Sequence, residues 1–309
     1  MKRFIGIVLI LLWTTAASAQ FNFDALEYPF EVKKIKIDQT EIAYVEEGKG
    51  KNTLLFVHGL GSYLPAWKKN ISTLKEDYHC IAIDLPGYGK SDKNLEQFTL
   101  AQYAKYINQF IKLKKLKRVH LVGHSMGGQI AMTYAIKYPK TLKRLILLAP
   151  AGLEKFTEKE GATLTAYTQA KLVANTPDEQ IKKNYERNYY DFPEYAQFML
   201  DDRIRMKEAP AFPLFCKAFE QGVVAMLAEP VWQDLSKITM PTLIIFGKQD
   251  ALIPNKYLHP TLTLEDVAAS GKEAISNSEV HYVDKAGHMV QFEGAEEVNK
   301  IIQQFLKKK

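Results

Sequence analysis

Ser125 lies at the centre of the segment GHSMG, residues 123–127, between an apolar run and a helix-forming run. Residues 119–122 are typical of a buried strand, and residues 129–135 favour a helix. A turn this sharp crowds the backbone two positions before and after the serine, where only glycine fits. The serine oxygen would then stand above the sheet, with the Met126 N–H aimed at an oxyanion beside it. The spacing predicts that Ser125 is a catalytic nucleophile and that Met126 provides half of an oxyanion hole.

A serine hydroxyl becomes a good nucleophile only when a base removes its proton and an acid orients that base. Among the 7 histidines, His288 is best placed, because it follows the predicted strand 279–283 and precedes the last helix. Asp250 follows another buried strand, so its carboxylate could reach the imidazole from a loop. We predict a triad of Ser125, His288 and Asp250, with Glu154 and Asp284 as rival acids.

The second oxyanion donor should come from an early loop that follows a buried strand. The segment VHGLG, residues 57–61, has this position, and the Leu60 N–H is the candidate donor. His58 in the same segment is interpreted as a residue that structures the loop and not as a second base.

A mostly parallel sheet must position these loops, because eight short runs with strand composition alternate with amphipathic helices. The first two runs, joined at Asp38 and Gln39, predict a hairpin. A helix is predicted over residues 99–116, with Thr99 and Gln102 as a capping box. The strand predictions are residues 31–37, 41–46, 54–57, 81–83, 119–122, 145–149, 243–246 and 279–283.

The alternation breaks once, between Pro150 and Pro241, where no convincing strand is present. Helices are predicted over residues 163–175, 193–208 and 213–227, and Thr176 is the expected N-cap of another. They would form a helical cap over the sheet. Some of the aromatic and methionine side chains of this region would line an apolar pocket, although most are expected to pack in the core of the cap. Its arginines, Arg187, Arg203 and Arg205, are expected to lie in solvent.

The first residues have the pattern of a secretory signal peptide: a basic start, an apolar run and small residues that end at Ala19. The apolar run is shorter than the roughly 20 residues that span a bilayer, which argues against a retained anchor. We therefore expect an exported protein, periplasmic or secreted, without a stable membrane span after cleavage. The predicted organisation is a signal peptide at 1–19, a core at 20–150 and 237–309, and a cap at 151–236.

The composition, net charge and cysteine content limit the class of protein to which the chain can belong. The chain has 309 residues, 47% of them hydrophobic and 25% charged, which is ordinary for a globular protein. Its net charge of +6 is too diffuse for a nucleic-acid surface. Cys80 and Cys216 are the only cysteines, and their positions favour two buried free thiols, although a disulfide is conceivable in an exported protein.

Five motifs in order resemble those of the α/β-hydrolase-fold serine hydrolases, over nearly all of the mature chain. They are HG at 58–59, DLPGYGKS at 84–91, GHSMG at 123–127, GKQD at 247–250 and GH at 287–288. The order serine, aspartate, histidine also matches. The resemblance implies an eight-stranded sheet with an antiparallel second strand, a cap after the sixth strand, and no cofactor. The stretch from Asn255 to Ser278 is longer than the family pattern needs.

The serine at the turn argues against relatives that use a carboxylate nucleophile. We expect cleavage of small-molecule carboxylic esters, as in a carboxylesterase or lipase. Two alternatives stay open: hydrolysis of a carbon–carbon bond in ring-cleavage products, and a binding protein that keeps the fold but turns over little.

Overall fold

The computed structural model describes residues 20–308, and the predicted signal peptide lies outside this range. Eight strands form one sheet in the order β1-β2-β4-β3-β5-β6-β7-β8. The strand β2 is antiparallel to both of its neighbours, and the pairs from β4 to β8 are parallel. The predicted mostly parallel sheet is thus confirmed. The strands are β1 (Lys33–Ile37), β2 (Thr40–Glu47), β3 (Thr53–Val57), β4 (His79–Ile83), β5 (Val119–His124), β6 (Leu142–Leu148), β7 (Thr242–Gly247) and β8 (Ser278–Val283).

Helices cover the sheet in two groups, in which α1 contacts α11 and α2 contacts α3. The strands β3, β5 and β7 are buried along their whole length, which explains their continuous apolar composition. The helices are α1 (Lys68–Leu74), α2 (Leu100–Leu113), α3 (Met126–Lys137), α4 (Glu158–Tyr167), α5 (Ala170–Ala174), α6 (Asp178–Glu186), α7 (Gln197–Arg205), α8 (Phe212–Ala228), α9 (Leu264–Ala274), α10 (Val290–Glu293) and α11 (Ala295–Lys307).

The first turn of α2 differs from the predicted capping box. Thr99 does accept a hydrogen bond from the Gln102 backbone N–H at 3.0 Å. Among the described residues, no reciprocal bond joins the Thr99 N–H to the Gln102 side chain, so the capping box is not complete. The Glu229 carboxylate instead accepts from the N–H groups of Leu100 and Ala101 at 3.0 Å each. A carboxylate from the end of α8 therefore caps α2, where negative charge is favoured.

Five helices, α4 to α8, occupy the insertion between β6 and β7, and α8 contacts both α4 and α5. The single helix predicted over residues 163–175 is wrong, because α4 ends at Tyr167 and α5 starts at Ala170. The helix α4 also starts earlier than predicted, behind a capping box formed by Thr157 and Glu160. Thr176 is not an N-cap, since its hydroxyl donates back to Leu172 O at 2.9 Å.

Two further sequence expectations concern cysteines and membranes. Cys80 and Cys216 are both buried and free, as predicted. Between residues 20 and 308, no single helix has the length and apolar composition needed to cross a membrane. The segments Glu194–Glu208 and Phe212–Ala228 have this length and composition only when they are taken together, and the chain bends by 117° between them.

Candidate active site

Ser125 occupies the sharp turn between β5 and α3 with φ 54° and ψ −120°, a conformation that L-residues rarely adopt. A Cβ atom added to Gly123 would lie 2.3 Å from Gly127 O. One added to Gly127 would lie 2.3 Å from Val57 O. Both distances are far below a van der Waals contact, so glycine is required on each side of the serine, as its spacing predicts.

His288 lies in the loop after β8, and its Nδ1 is 2.8 Å from Asp250 Oδ2. The other Asp250 oxygen accepts from the backbone N–H groups of Leu252 and Ile253 at 2.8 and 3.0 Å. Burial alone would raise the pKa of Asp250, but His288 and these two N–H groups lower it below its usual value. An ionised Asp250 fixes the imidazole with Nδ1 as donor and leaves Nε2 free to act as a base.

The rival acids do not contact His288. Glu154 Oε1 lies 2.6 Å from Nδ1 of His259, and its carboxylate also accepts from the Asn255 N–H. Asp284 is exposed and pairs with Lys248 Nζ at 2.6 Å. Sequence reasoning missed the Glu154 and His259 pair, because 105 positions separate the partners and no local motif marks His259.

Two other histidines support the loops around Ser125. Nδ1 of His58 donates to Gly59 O at 2.8 Å, and its Nε2 accepts from the Leu85 N–H at 3.0 Å. Both ring nitrogens are thus used by backbone, and burial lowers the pKa of His58 to about 4. Burial and the neighbouring His288 lower the pKa of His124 to about 3, and its Nε2 donates to His288 O at 2.9 Å. Two neutral histidines therefore hold the loop at residues 57–61 and the loop that carries His288 in place.

The backbone N–H groups of Leu60 and Met126 donate no hydrogen bond within residues 20–308. The two residues meet at α8, where a Cβ added to Gly222 would lie 2.8 Å from Leu60 Cδ1 and 3.1 Å from Met126 Sδ. Two free backbone donors on neighbouring segments are the arrangement that an oxyanion hole requires.

A cavity of about 620 Å³ extends from this point under the cap, and Ser125 and His288 both line it. Among the described residues, no hydrogen bond joins their side chains. Such contacts often tighten only when substrate is bound. Five aromatic or methionine residues of the cap line the cavity: Phe156, Tyr167, Tyr185, Phe219 and Met226. Other aromatic residues of the cap, such as Phe215, are buried in the core and do not line the cavity.

Residues 52–295 match the family model described as alpha/beta hydrolase fold. The chain belongs to this family. It is 30% identical to the dihydrolipoyllysine-residue acetyltransferase component of an acetoin cleaving system from Cupriavidus necator, over 87% of this chain and 67% of that protein. It is 29% identical to human monoacylglycerol lipase ABHD6, over 89% of this chain and 82% of the lipase. A solved structure of a membrane phospholipase A, described as a bacterial virulence factor, is 27% identical with a TM-score of 0.75, over 89% and 85% of the two chains.

Among the three arginines in the cap of this hydrolase, one does not lie in solvent as predicted. Arg187 and Arg205 are exposed as expected, but Arg203 is partly buried, lines the cavity and has a buried Nη1 atom. Its guanidinium lies over the rings of Phe212 and Phe215, 5.2 and 5.1 Å from their centroids. Arg203 lies in the charged second half of α7, behind Asp201 and Asp202, so composition alone does not show that this arginine faces inward.

Proposed function

We propose that this protein is an exported serine hydrolase that cleaves carboxylic esters of small or medium apolar substrates. The observation that carries the proposal is the shared cavity. Ser125 lines it at a strained turn, and the same cavity is lined by a histidine whose Nδ1 is held 2.8 Å from a buried carboxylate. The sequence similarity to a monoacylglycerol lipase and to a phospholipase A supports an ester as substrate.

The reaction would proceed through an acyl-enzyme. Ser125 Oγ attacks the ester carbonyl carbon while its proton passes to His288 Nε2, and Asp250 stabilises the imidazolium that forms. The N–H groups of Leu60 and Met126 stabilise the negative carbonyl oxygen. The carbon–oxygen bond of the ester then breaks, and the alcohol leaves with the proton from His288. Water attacks the acyl-enzyme by the same route in reverse and releases the carboxylic acid and the free serine.

The cap would select the substrate, because the triad loops contact only the reacting group. Phe219, Met226 and Leu227 line the cavity and offer apolar surface to an acyl or alcohol chain. Each buried methylene is worth about 0.8 kcal/mol, or roughly a fourfold gain in affinity, until the cavity is full. We expect kcat/KM to rise and then fall with chain length, and Phe219→Ala to shift the optimum to longer chains.

The proposal is tested by the hydrolysis of a p-nitrophenyl ester series by the wild type, Ser125→Ala and Ser72→Ala. Ser72 is an exposed serine in α1 and serves as the matched control. Ser125→Ala should lose on the order of 10⁴-fold or more in kcat, while Ser72→Ala keeps the wild-type rate. Wild-type enzyme that turns over no ester would contradict the proposal. Cleavage of a carbon–carbon bond in a ring-cleavage product, or tight binding without turnover, would then identify one of the two alternative functions.

Export is the part of the proposal that rests on the sequence pattern of residues 1–19 alone. The basic start, the apolar run and the small residues before Gln20 support cleavage after Ala19. Mass spectrometry of the protein from an exporting host should give a mature chain that begins at Gln20. A chain that keeps Lys2 and Arg3 would contradict the cleavage.

A further inference from the structure

Arg203 is a cavity-lining cation without a hydrogen-bonded partner. Its Nη1 atom is buried and meets no acceptor, and no salt bridge to this side chain is present anywhere in residues 20–308. Arginine stays protonated in proteins and carries five N–H donors. A buried donor on a charged group that lacks an acceptor is costly, and such groups are often kept for function.

The neighbours of Arg203 hold it in place without neutralising it. The rings of Phe212 and Phe215 stack on each other at 5.7 Å and 14°, and the guanidinium lies over both. Aromatic faces attract the cation but do not accept its in-plane N–H bonds. The adjacent carboxylate, Asp202, is occupied by the Tyr63 hydroxyl, which donates to it at 2.5 Å. The guanidinium therefore has no hydrogen-bond acceptor within residues 20–308, while the side chain as a whole is partly exposed and lines the cavity.

Ser62 provides a second unused polar atom on the cavity wall. Its Oγ is buried, has no hydrogen-bond partner among the described residues, and belongs to a residue that lines the same cavity. The bond between Tyr63 and Asp202 ties the segment that carries Ser62 to the segment that carries Arg203. A hydroxyl and a guanidinium, both without acceptors within residues 20–308, therefore belong to residues that line one cavity and to two segments joined by this hydrogen bond.

The charges that line the cavity also favour an anion. Besides the histidines, the charged lining residues are Arg203, Arg187 and Glu154. The Glu154 carboxylate is engaged by His259 and by the Asn255 N–H. Arg187 donates to Ala251 O at 3.1 Å and lies exposed. The one negative group is thus already paired, and the buried positive group is not.

We propose that this cavity accepts an ester with one oxyanion group, a carboxylate or a phosphate, on its acyl or alcohol part. The oxyanion accepts hydrogen bonds from the Arg203 guanidinium and the Ser62 hydroxyl, and the ester carbonyl reaches Ser125. This inference rests on the proposed ester hydrolysis and adds a charge to the substrate. Arg203 and Ser62 then determine specificity and take no part in proton transfer.

Two matched substrate pairs test the proposal. The carboxylate pair is the mono-p-nitrophenyl ester of glutaric acid against p-nitrophenyl pentanoate. The phosphate pair is a decanoyl monoacylglycerol phosphate against the decanoyl monoacylglycerol. For each pair the readout is the ratio of kcat/KM for the anionic ester to kcat/KM for the neutral ester. The pair with the higher ratio identifies the oxyanion.

The variants are Arg203→Met, Arg203→Lys and the control Arg205→Met, an exposed arginine two positions away. The ratio should fall about tenfold or more in Arg203→Met, because a charge-assisted hydrogen bond is lost. It should fall less in Arg203→Lys and stay at the wild-type value in Arg205→Met. Equal ratios in Arg203→Met and Arg205→Met for both pairs would overturn the proposal, as would a wild-type preference for the neutral ester in both pairs.

Two further measurements keep the result separate from folding and from the proposed function. If Arg203→Met does not fold, Ser62→Ala decides, with an expected fall in the ratio of about threefold and an unchanged ratio as the contrary result. Wild-type turnover of the neutral esters, and its loss in Ser125→Ala, measures ester hydrolysis independently of charge selectivity. An enzyme that hydrolyses neutral esters with no role for Arg203 would refute only the further inference.

Discussion

Two histidine–carboxylate pairs lie at the same edge of the sheet, and only one of them has the geometry of a base. In both pairs the histidine Nδ1 contacts a carboxylate, at 2.8 Å from Asp250 for His288 and at 2.6 Å from Glu154 for His259. The Nε2 atom of His288 has no partner among the described residues. That of His259 faces Glu160 at 3.3 Å, and Phe156 stacks on its ring at 5.2 Å.

The pKa values of the two carboxylates are also shifted in opposite directions. Burial raises the pKa of Glu154, despite the hydrogen bonds from His259 and Asn255. For Asp250 the effect of burial is outweighed by His288 and two backbone N–H groups, so its pKa is lowered. A catalytic pair therefore needs an ionised acid and also a second ring nitrogen that is left free, and proximity alone does not distinguish it from a structural pair.

The largest expected difference is between His288→Ala and His259→Ala. His288→Ala should lose on the order of 10⁴ to 10⁶ in kcat, because no base remains to take the serine proton. His259→Ala should retain activity within about threefold and lose mainly stability, since its ring fills space between Glu154 and Phe156. Steady-state kinetics with one p-nitrophenyl ester compares them, and a similar loss in both variants would break the distinction.

The carboxylates should differ almost as strongly. Asp250→Asn keeps the shape but removes the charge that orients the imidazole, with an expected loss of up to about 10⁴ in kcat. Glu154→Gln should cost less than about tenfold, because Glu154 does not contact His288. If Glu154→Gln were inactive and Asp250→Asn active, the acid would have to be reassigned to the loop after β6.

A smaller effect is expected in the pH dependence of stability. Because the folded-state pKa of Asp250 is lowered, its ionisation stabilises the fold above the unfolded value of about 3.9. This contribution is lost as the pH falls through the lower folded-state pKa. The difference in Tm between the wild type and Asp250→Asn should be constant above about pH 5 and shrink below about pH 3.9. A difference independent of pH would show that Asp250 is not ionised in the folded protein.

The smallest effect concerns the helix that presents Glu160 to His259. A Cβ added to Gly161 in α4 would meet only ordinary contacts, the nearest 3.7 Å away at Leu227. Gly161→Ala should stabilise the protein by about 0.5–1 kcal/mol, because glycine is unfavourable within a helix. Thermal unfolding should show a higher Tm with unchanged kcat. A lower activity would indicate that the pair at His259 influences the reaction.

The two regions also differ in how far the sequence predicts them. The turn at Ser125 is predictable because its glycines, strand and helix are local and each is sterically required. Asp250 and His288 follow strands whose apolar runs are plain, so their edge of the sheet could be inferred. The start of α4 was also accessible, since Thr157 and Glu160 stand at capping-box spacing.

The cap resists prediction because its contacts are not local. Glu154 in the loop after β6 and His259 in the loop before α9 are 105 positions apart in the sequence. Arg203 follows two aspartates in α7, and it packs against two phenylalanines of the next helix. Neither contact can be inferred from the hydrophobic periodicity of the sequence, and composition therefore places the arginine in solvent.

The central claim is that Ser125 is the single nucleophile activated by His288, and covalent labelling tests it most directly. The wild type, Ser125→Ala and His288→Ala are incubated with a fluorophosphonate probe, and the labelled residue is located by peptide mass spectrometry. The claim predicts one label per chain on Ser125, none in Ser125→Ala and greatly slowed labelling in His288→Ala. Stoichiometric labelling of Ser125→Ala, or labelling of His288→Ala at the wild-type rate, would contradict it.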